Sequence, residues 1–194
     1  MPNWCYNFAT INCPSKEVYE KFLVSLDQNT WFQTFAPLGL ESEKPEGGWG
    51  YYKAIEIWKT KWSARDVEIL NQYDDEFLLE IRFETAWSPP TGVYSIMNKE
   101  HGIEVKAFYN EVGCDFFGRC VYSKEKEIDE FFNFPCNKKE LKELRKTISI
   151  ELDDYMSSSW EELQERWIED GEDDEEYCEE NNECEKNEIE RWEW

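Results

Sequence analysis

Histidine and cysteine are the residues best suited to catalysis or metal binding, and their spacing in this chain argues against both. His101 is the only histidine, which excludes a site with several histidine ligands. It is expected to end a helix, where a cation suits the helix dipole. Cys114 and Cys120 lie six residues apart, which predicts a shared sheet face, whereas zinc sites prefer closer pairs. Cys178 and Cys184 repeat that gap in an acidic segment. We therefore expect no metal and no cofactor.

Carboxylates are the other candidates for acid–base chemistry. Glu84, Glu104 and Glu111 lie near the ends of predicted strands, but a paired acid–base site needs two carboxylates in one cleft. Charged residues that alternate along a strand are usually solvated, and the chain has no glycine loop suited to holding phosphates. Because the sequence nominates no reaction, we expect that the protein is not an enzyme.

Negative charge is concentrated at the C-terminal end. The chain has 44 acidic and 21 basic residues, a net charge of −23. Residues 151–194 hold 20 acidic and 3 basic residues, whereas residues 1–150 have a net charge of −6. Such a field repels nucleic acid and anionic lipid and attracts basic surfaces. We expect a protein partner with a basic nucleic-acid-binding channel, no membrane partner and little direct binding of nucleic acid.

One acidic helix has the spacing of a nucleic-acid mimic. Glutamates at 161, 165 and 169 recur every four residues, about 6 Å apart along a helix, which is near the spacing of phosphates along a strand. The alternative is a segment that only keeps the protein soluble. The residues predicted to bind the partner are Glu161, Glu162, Glu165, Glu169, Asp173, Asp174, Glu175 and Glu176.

The N-terminal residues do not resemble a secretory signal. "MPNWCYNFATINC" has neither a basic stretch nor an apolar block, and no run approaches the roughly 18–20 apolar residues of a membrane span. The seven cysteines are odd in number and scattered, which favours reduced thiols. We expect a cytoplasmic protein.

Hydrophobic periodicity predicts an α+β fold. Alternation predicts strands at 3–11, 64–70, 77–84, 102–110 and 114–122, and helical spacing predicts helices at 18–26 and 93–100. The order β-α-β-β-α-β-β indicates a ferredoxin-like antiparallel sheet with two helices on one face.

Three regions follow from this pattern. Residues 1–123 form the ferredoxin-like domain, with an irregular, aromatic-rich insertion at 28–60 that contains a short helix near 49–58. Residues 124–170 form a C-terminal helical extension, and 171–194 form an acidic tail. In the extension, a basic helix at 137–148 precedes a helix at 157–170 with an apolar stripe of Trp160, Leu163 and Trp167. The basic helix is interpreted as pairing with the acidic segment after it, with nucleic acid as the alternative.

The stretch "FETAWSPP" (83–90) predicts a rigid corner between a strand and a helix. A residue before proline is pushed out of the helical region, so Ser88 and Pro89 are extended and Pro90 begins the helix. Trp87 is expected to be a large buried side chain. The functional alternative is a groove beside the helix N-terminus that holds an anion. Its candidate residues are Trp58, Lys61, Trp62, Trp87, Ser88 and Pro90.

Four motifs carry a family resemblance: "MPNWCYN", "WKTKWSA" (58–64), "FETAWSPP" and "YNEVGCDFFG" (109–118). In this order they resemble the Api92-like (YubB-like) family. The resemblance implies a ferredoxin-like fold and carriage by phages and plasmids, and it brings no established catalytic residue. The chain departs from the family motif at Lys59, where the family has glycine.

These observations favour a non-enzymatic protein from a mobile element. We expect it to bind and inhibit a host nucleic-acid-handling or defence protein, for example a CRISPR effector, with its acidic region as a nucleic-acid mimic. One alternative is a nucleic-acid-binding ferredoxin-like module that stacks bases on Trp58, Trp62 and Trp87, although core packing of these rings is favoured. Its cations would be Lys53, Lys59, Lys61 and Arg65. The other alternative is an enzyme of unknown class.

Overall fold

The computed structural model describes residues 3–39 and 49–170. The chain divides into two compact units, Met1–Asn133 (the sheet unit) and Phe134–Trp194 (the helical unit). The strands are β1 Trp4–Asn12, β2 Arg65–Tyr73, β3 Leu78–Ala86, β4 Glu104–Glu111, β5 Phe116–Tyr122 and β6 Glu127–Asn133. The helices are α1 Lys16–Asp27, α2 Trp31–Phe35, α3 Trp49–Trp58, α4 Thr91–His101, α5 Lys138–Leu144, α6 Ile150–Tyr155 and α7 Ser157–Asp170.

Six strands form one antiparallel sheet in the order β2-β3-β1-β4-β5-β6. The first four strands have the ferredoxin-like arrangement, in which β3 lies between β1 and β2, the two strands joined through α1. β5 and β6 extend the sheet beyond β4. The fold predicted from the alternation is therefore confirmed.

The core lies on one face of this sheet. In β1 the buried residues are Cys5, Asn7, Ala9 and Ile11, while Tyr6, on the opposite face, is half exposed. The helices α1 and α4 contribute their apolar stripes, including Phe22 and Met97, to the same core cluster. Both helices therefore cover the same sheet face, as predicted.

The segment predicted to be an irregular insertion is part of this core. Trp31, Phe32 and Phe35 of α2 are at most 1% exposed. The ring of Trp31 contacts Phe32 at 4.3 Å and Phe83 of β3 at 5.2 Å, both edge to face. Aromatic packing of this kind orders a short helix that has too few residues to show a period. The short helix predicted near 49–58 is confirmed as α3.

Strand β6 was not predicted. Its residues alternate between exposed and half-buried positions, without a buried one among them. An edge strand exposed in this way has only weak hydrophobic alternation. The compact units divide after Asn133, whereas the boundaries drawn from the sequence, at 123 and 170, stay predictions.

In its described part, residues 134–170, the helical unit contains one more helix than predicted. The basic helix predicted at 137–148 ends at Leu144, and α6 follows after Ser149, whose hydroxyl accepts the Leu152 N–H. Asn137 caps α5 by accepting the Glu140 N–H at 2.8 Å. Side-chain acceptors of this kind satisfy amide donors that a helix start leaves unpaired. Among the described residues, no helix has the length and apolar character required to cross a membrane.

Asp153 connects the three helices of this unit. Its carboxylate accepts two hydrogen bonds from Arg145, at 2.8 and 2.9 Å, and one from Trp160 Nε1 at 2.9 Å. The predicted pairing of the basic helix with the acidic segment is thus confirmed for Arg145. The apolar stripe of α7 is buried, with Trp160 2% and Trp167 5% exposed.

Strand β2 is the outermost strand beside β3 and is irregular. Its register against β3 shifts between Arg65 and Glu68 and again between Ile69 and Asn71. Ile69, Leu70 and Tyr73 are each about two-fifths exposed or slightly more. These shifts interrupt the ladder on the β2 side of the sheet.

The departure from the family motif at Lys59 falls on a strained backbone position. Lys59 follows the last residue of α3 and has φ of +64°. Its N–H donates to the Ile55 carbonyl at 3.2 Å, which closes the helix in the left-handed manner. Glycine adopts this conformation without strain, whereas a side chain there costs about 1–3 kcal/mol. The family glycine is therefore explained by backbone conformation.

We expect Lys59→Gly to stabilise the protein by about 0.5–1 kcal/mol, because relief of strain exceeds the extra flexibility of glycine in the unfolded chain. Thermal unfolding should show a higher Tm. Lys59→Ala is the matched control, since it removes the side chain but keeps the strain. An equal gain in both variants would contradict this explanation.

Gly92, in the first turn of α4, lies against the end of α3. A Cβ built at this position would lie 1.9 Å from the Ile57 carbonyl oxygen. No side chain fits at that distance, so the two helices can meet here only because residue 92 is glycine.

Gly92→Ala should therefore destabilise the sheet unit by about 1–3 kcal/mol or more, because α3 and α4 must separate to admit the methyl group. Chemical denaturation measures the loss. Ser95→Ala, one turn along α4, removes an exposed contact with Lys99 and should have a much smaller effect. A Gly92→Ala protein as stable as the wild type would refute the close approach.

Candidate functional site

The double-proline corner, residues 83–90, is joined to two other segments by hydrogen bonds. Trp87 N–H donates to the Asn3 carbonyl at 3.0 Å. Ser88 Oγ donates to the Lys59 carbonyl at 2.5 Å, and Thr60 Oγ1 donates to the Ala86 carbonyl at 2.9 Å. The N-terminal segment and the end of α3 are thereby fixed to the end of β3, which supports the structural interpretation of the corner.

Two buried polar side chains stabilise the corner through consecutive hydrogen bonds. Asn7 Nδ2 donates to Thr85 Oγ1 at 2.9 Å, and Thr85 Oγ1 donates to the Ser88 carbonyl at 2.8 Å. Asn7 is 2% and Thr85 0% exposed. Neither residue was predicted from the sequence, although a polar residue between Cys5 and Ala9 on the apolar face of β1 was a usable signal.

The predicted groove at the start of α4 is partly filled by backbone. The prediction that Pro90 begins the helix was wrong by one residue, because α4 begins at Thr91 and Pro90 precedes it as the N-cap. The Pro90 carbonyl accepts the Tyr94 N–H at 3.2 Å. The Ile57 carbonyl lies against Gly92 in the first turn. This contact occupies one side of the helix N-terminus, where an anion was considered.

The aromatic candidates fall into two groups. Trp58 is 1% exposed and donates from Nε1 to the Ala36 carbonyl at 2.7 Å, so it lies in the core as favoured. Trp62 and Trp87 are half-buried. The expectation that Trp87 is buried was wrong: β3 ends at Ala86, and a φ of +73° at Trp87 ends the alternation of the strand.

Two cations lie over half-buried aromatic rings near the corner. Lys61 Nζ is 4.5 Å from the centroid of Trp87 and 5.8 Å from that of Tyr51. Arg65 lies 3.7 Å from the ring of Trp4, and Trp4 contacts Trp62 at 6.2 Å between centroids. Of the candidate groove residues, the structure thus brings Lys61 and Trp87 together, with Tyr51 as a partner that the sequence analysis did not identify.

Glu111 places a buried carboxylate beside the corner. It is 3% exposed; Oε1 accepts the Gly113 N–H at 2.7 Å, and Oε2 has no hydrogen-bond partner among the described residues. Cys114 Sγ accepts a hydrogen bond from Asn3 Nδ2 at 3.2 Å. Cys114 is exposed, but partial desolvation and the neighbouring Glu111 carboxylate raise the pKa of its thiol to about 11. This thiol is therefore protonated at neutral pH and is a poor nucleophile.

The other chemical candidates remain apart. Cys114 lies in the turn before β5, so it does not share a sheet face with the buried Cys120 as predicted. His101 ends α4, as expected, and its Nε2 is 3.1 Å from the Phe35 carbonyl. Glu104 and Glu111 lie at opposite ends of β4, and Glu84 pairs with Arg65 at 2.8 Å. No group of three or more metal-ligating side chains occurs among the residues that the structure describes.

The acidic candidates of α7 lie opposite its buried stripe. Glu161, Glu162 and Glu165 are exposed, whereas Trp160, Leu163 and Trp167 are buried. Glu169 belongs to the helix, but its side chain lies outside the described residues, as do Asp173, Asp174, Glu175 and Glu176. Partner binding by these residues stays a prediction.

The raised pKa of Cys114 has a measurable consequence. We expect alkylation of this thiol by iodoacetamide to be slow at pH 8 and to accelerate as the pH approaches the pKa of about 11, because the thiolate is the reactive form. Glu111→Gln removes a nearby negative charge and should speed up the reaction at pH 8. Peptide mapping by mass spectrometry gives the rates. Glu104→Gln, at the other end of β4, is the control, and an equal acceleration in both variants would contradict the role of Glu111.

Comparison with known proteins gives a limited set of relatives. No curated protein of similar sequence was found. A search of solved structures found the crystal structure of a protein api92 from Yersinia pseudotuberculosis, with a TM-score of 0.46 and 8% sequence identity. The similarity covers 71% of this chain and 99% of that chain.

A family model supplies the assignment. The model described as "Ferredoxin-like domain in Api92-like protein" matches residues 57–166, more than half of the chain. The match runs from the end of α3 into α7, so it includes part of the acidic region that the motifs in the sequence did not connect to the family. The chain belongs to the Api92-like protein family and contains its ferredoxin-like domain.

Proposed function

We propose that this protein is a non-enzymatic inhibitor, carried by a phage or plasmid, that binds a nucleic-acid-handling or defence protein in the host cytoplasm. A CRISPR effector is an example of such a target. The acidic surface of α7 occupies the basic channel in which the target normally holds nucleic acid. The observation that carries the proposal is the exposed row of glutamates on α7.

The geometry of α7 supports this role. Glu161 and Glu165 are both exposed and lie four positions apart in the helix, which places them about 6 Å apart along the helix axis. The exposed side chain of Glu162 lies beside this row and makes the acidic surface wider. Carboxylates at this interval resemble a run of phosphates, and their charge attracts a basic surface over a long range at low salt.

The buried side of α7 keeps the row in place. Trp160 donates to Asp153 and contacts Phe134 edge to face at 5.9 Å. The Asp153 carboxylate in turn accepts two hydrogen bonds from the guanidinium group of Arg145. A helix anchored in this way presents its charges without first having to fold, which lowers the entropic cost of binding.

Among the described residues, His101 is engaged in a contact and the thiols of Cys5 and Cys13 are unreactive. His101 contacts the Phe35 carbonyl, and burial raises the pKa of the Cys5 thiol well above its usual value. Burial also raises the pKa of the Cys13 thiol, to about 12. These features favour a binding protein over an enzyme.

The second candidate is a nucleic-acid-binding module, favoured by the cations over Trp4 and Trp87. Arg65, however, pairs with Asp66 and Glu84 at 2.8 Å each. Because these pairs neutralise its charge, the surface offers little attraction to phosphates. A titration of labelled single strands at low salt separates the candidates, since only the second predicts binding.

We expect simultaneous reversal of Glu161, Glu162 and Glu165 to lysine to abolish partner binding while the fold is kept, because these side chains are exposed and reversal replaces attraction by repulsion. Partners are captured from host lysate on the immobilised full chain. Nucleic acid should compete for the same partner, and binding should weaken steeply as salt rises.

The matched control reverses Glu17, Glu76 and Glu100, which are exposed acidic residues of the sheet unit. It makes the same change in net charge and should leave binding intact. Equal losses in both triple variants would show that net charge alone acts. Binding that resists salt, competitor and the α7 reversal would refute the proposed mimicry.

A further inference from the structure

We propose that Trp87 and Tyr51, with the buried carboxylate of Glu111 nearby, form a binding site for a quaternary or trimethylated ammonium group. In the structure, the side chain of Lys61 occupies the site as an internal competitor. This site goes beyond the proposed inhibition and does not depend on the acidic row of α7.

The geometry around Lys61 is that of an aromatic cation site. Its Nζ lies 4.5 Å from the centroid of Trp87 and 5.8 Å from the centroid of Tyr51. Cations are attracted to the face of an aromatic ring within about 6 Å of its centroid, and tryptophan is the strongest of these rings. The two rings therefore already accommodate a positive charge.

Trp87 is held at this position at the cost of backbone strain. Its φ of +73° is in the left-handed region, a conformation that is strained for a bulky residue. The side chain is half-buried, and the corner fixes its backbone through the Trp87 N–H bond to the Asn3 carbonyl. The ring is therefore held at the position where Lys61 lies over it.

Glu111 places a buried carboxylate close to the side chain of Asn3. Its Oε2 is buried and has no partner among the described residues. Asn3 links the two parts of the site, since its carbonyl accepts the Trp87 N–H and its Nδ2 contacts Cys114. The charge of Glu111 raises the pKa of the Cys114 thiol, whereas the charge of Lys61 lowers it.

The ligand class follows from hydration. A lysine ammonium is compact and strongly hydrated, and it has three N–H donors for which aromatic faces are poor partners. A methylated ammonium has fewer or no donors and gives up its water more easily. Such a group gains more from the rings than Lys61 does, so it displaces the lysine side chain.

The experiment uses the full chain and tetramethylammonium chloride as the probe. The Nε1–H signals of the ten tryptophans are followed by NMR during a titration at constant ionic strength, with sodium chloride as the control salt. We expect a saturable shift of the Trp87 signal with tetramethylammonium and none with sodium. Lys61→Met removes the internal competitor and should lower the Kd about threefold to tenfold, the factor expected from one cation–aromatic contact.

Trp87→Leu should abolish binding, whereas Trp62→Leu, which alters a neighbouring half-buried ring, should leave it unchanged. A peptide with trimethyllysine and the same peptide with lysine then distinguish a protein-borne ligand from a free small molecule. The proposal is overturned if no saturable shift occurs in the wild type or in Lys61→Met, or if Lys61→Met binds no more tightly. If Trp87→Leu does not fold, the Lys61→Met comparison decides by itself.

Discussion

The hydroxyl of Thr85 is the contact on which the architecture of the sheet unit depends most. It accepts from Asn7 in the central strand and donates to the Ser88 carbonyl at the turn, and it is fully buried. A buried polar group that loses its partner costs about 1–3 kcal/mol, so each member of this chain constrains the others. The position of the corner in turn sets where α4 begins and where α3 can end against it.

The two units present different chemistry. At the corner, positive side chains lie over aromatic rings, while on α7 carboxylates are exposed above a buried tryptophan stripe. Each exposed group is positioned by a rigid element. At the corner this is the left-handed turn at Trp87, and on α7 it is the carboxylate of Asp153, which binds Trp160. Ordered supports of this kind reduce the entropy lost on binding.

Periodicity predicted the elements whose burial is one-sided. The alternation in β3 placed Leu79, Ile81 and Phe83 in the core, and all three are at most 2% exposed. The same method failed where burial is not periodic. Strand β6 lacks a buried face, and α2 is too short to show a repeat even though its aromatic rings are completely covered.

The candidate sites were predictable to different degrees. The outward direction of Glu161 and Glu165 follows from helical spacing, because the stripe of Trp160 and Trp167 fixes the buried side. The pairing of Lys61 with Trp87 joins residues that are distant in sequence. It depends on the positive φ of Trp87, which the residue type does not predict. The polar role of Asn7 was visible in the pattern but was masked by its apolar neighbours.

The irregular register of β2 bears on how the protein behaves at high concentration. A straight edge strand with exposed Ile69, Leu70 and Tyr73 would be a template for the strands of other copies. The two register shifts twist this strand and move its amide groups out of step. The bulges of β2 therefore hinder pairing of this edge strand with a strand of another molecule. Aggregation into fibres is resisted in this way, although the strand keeps its exposed apolar side chains.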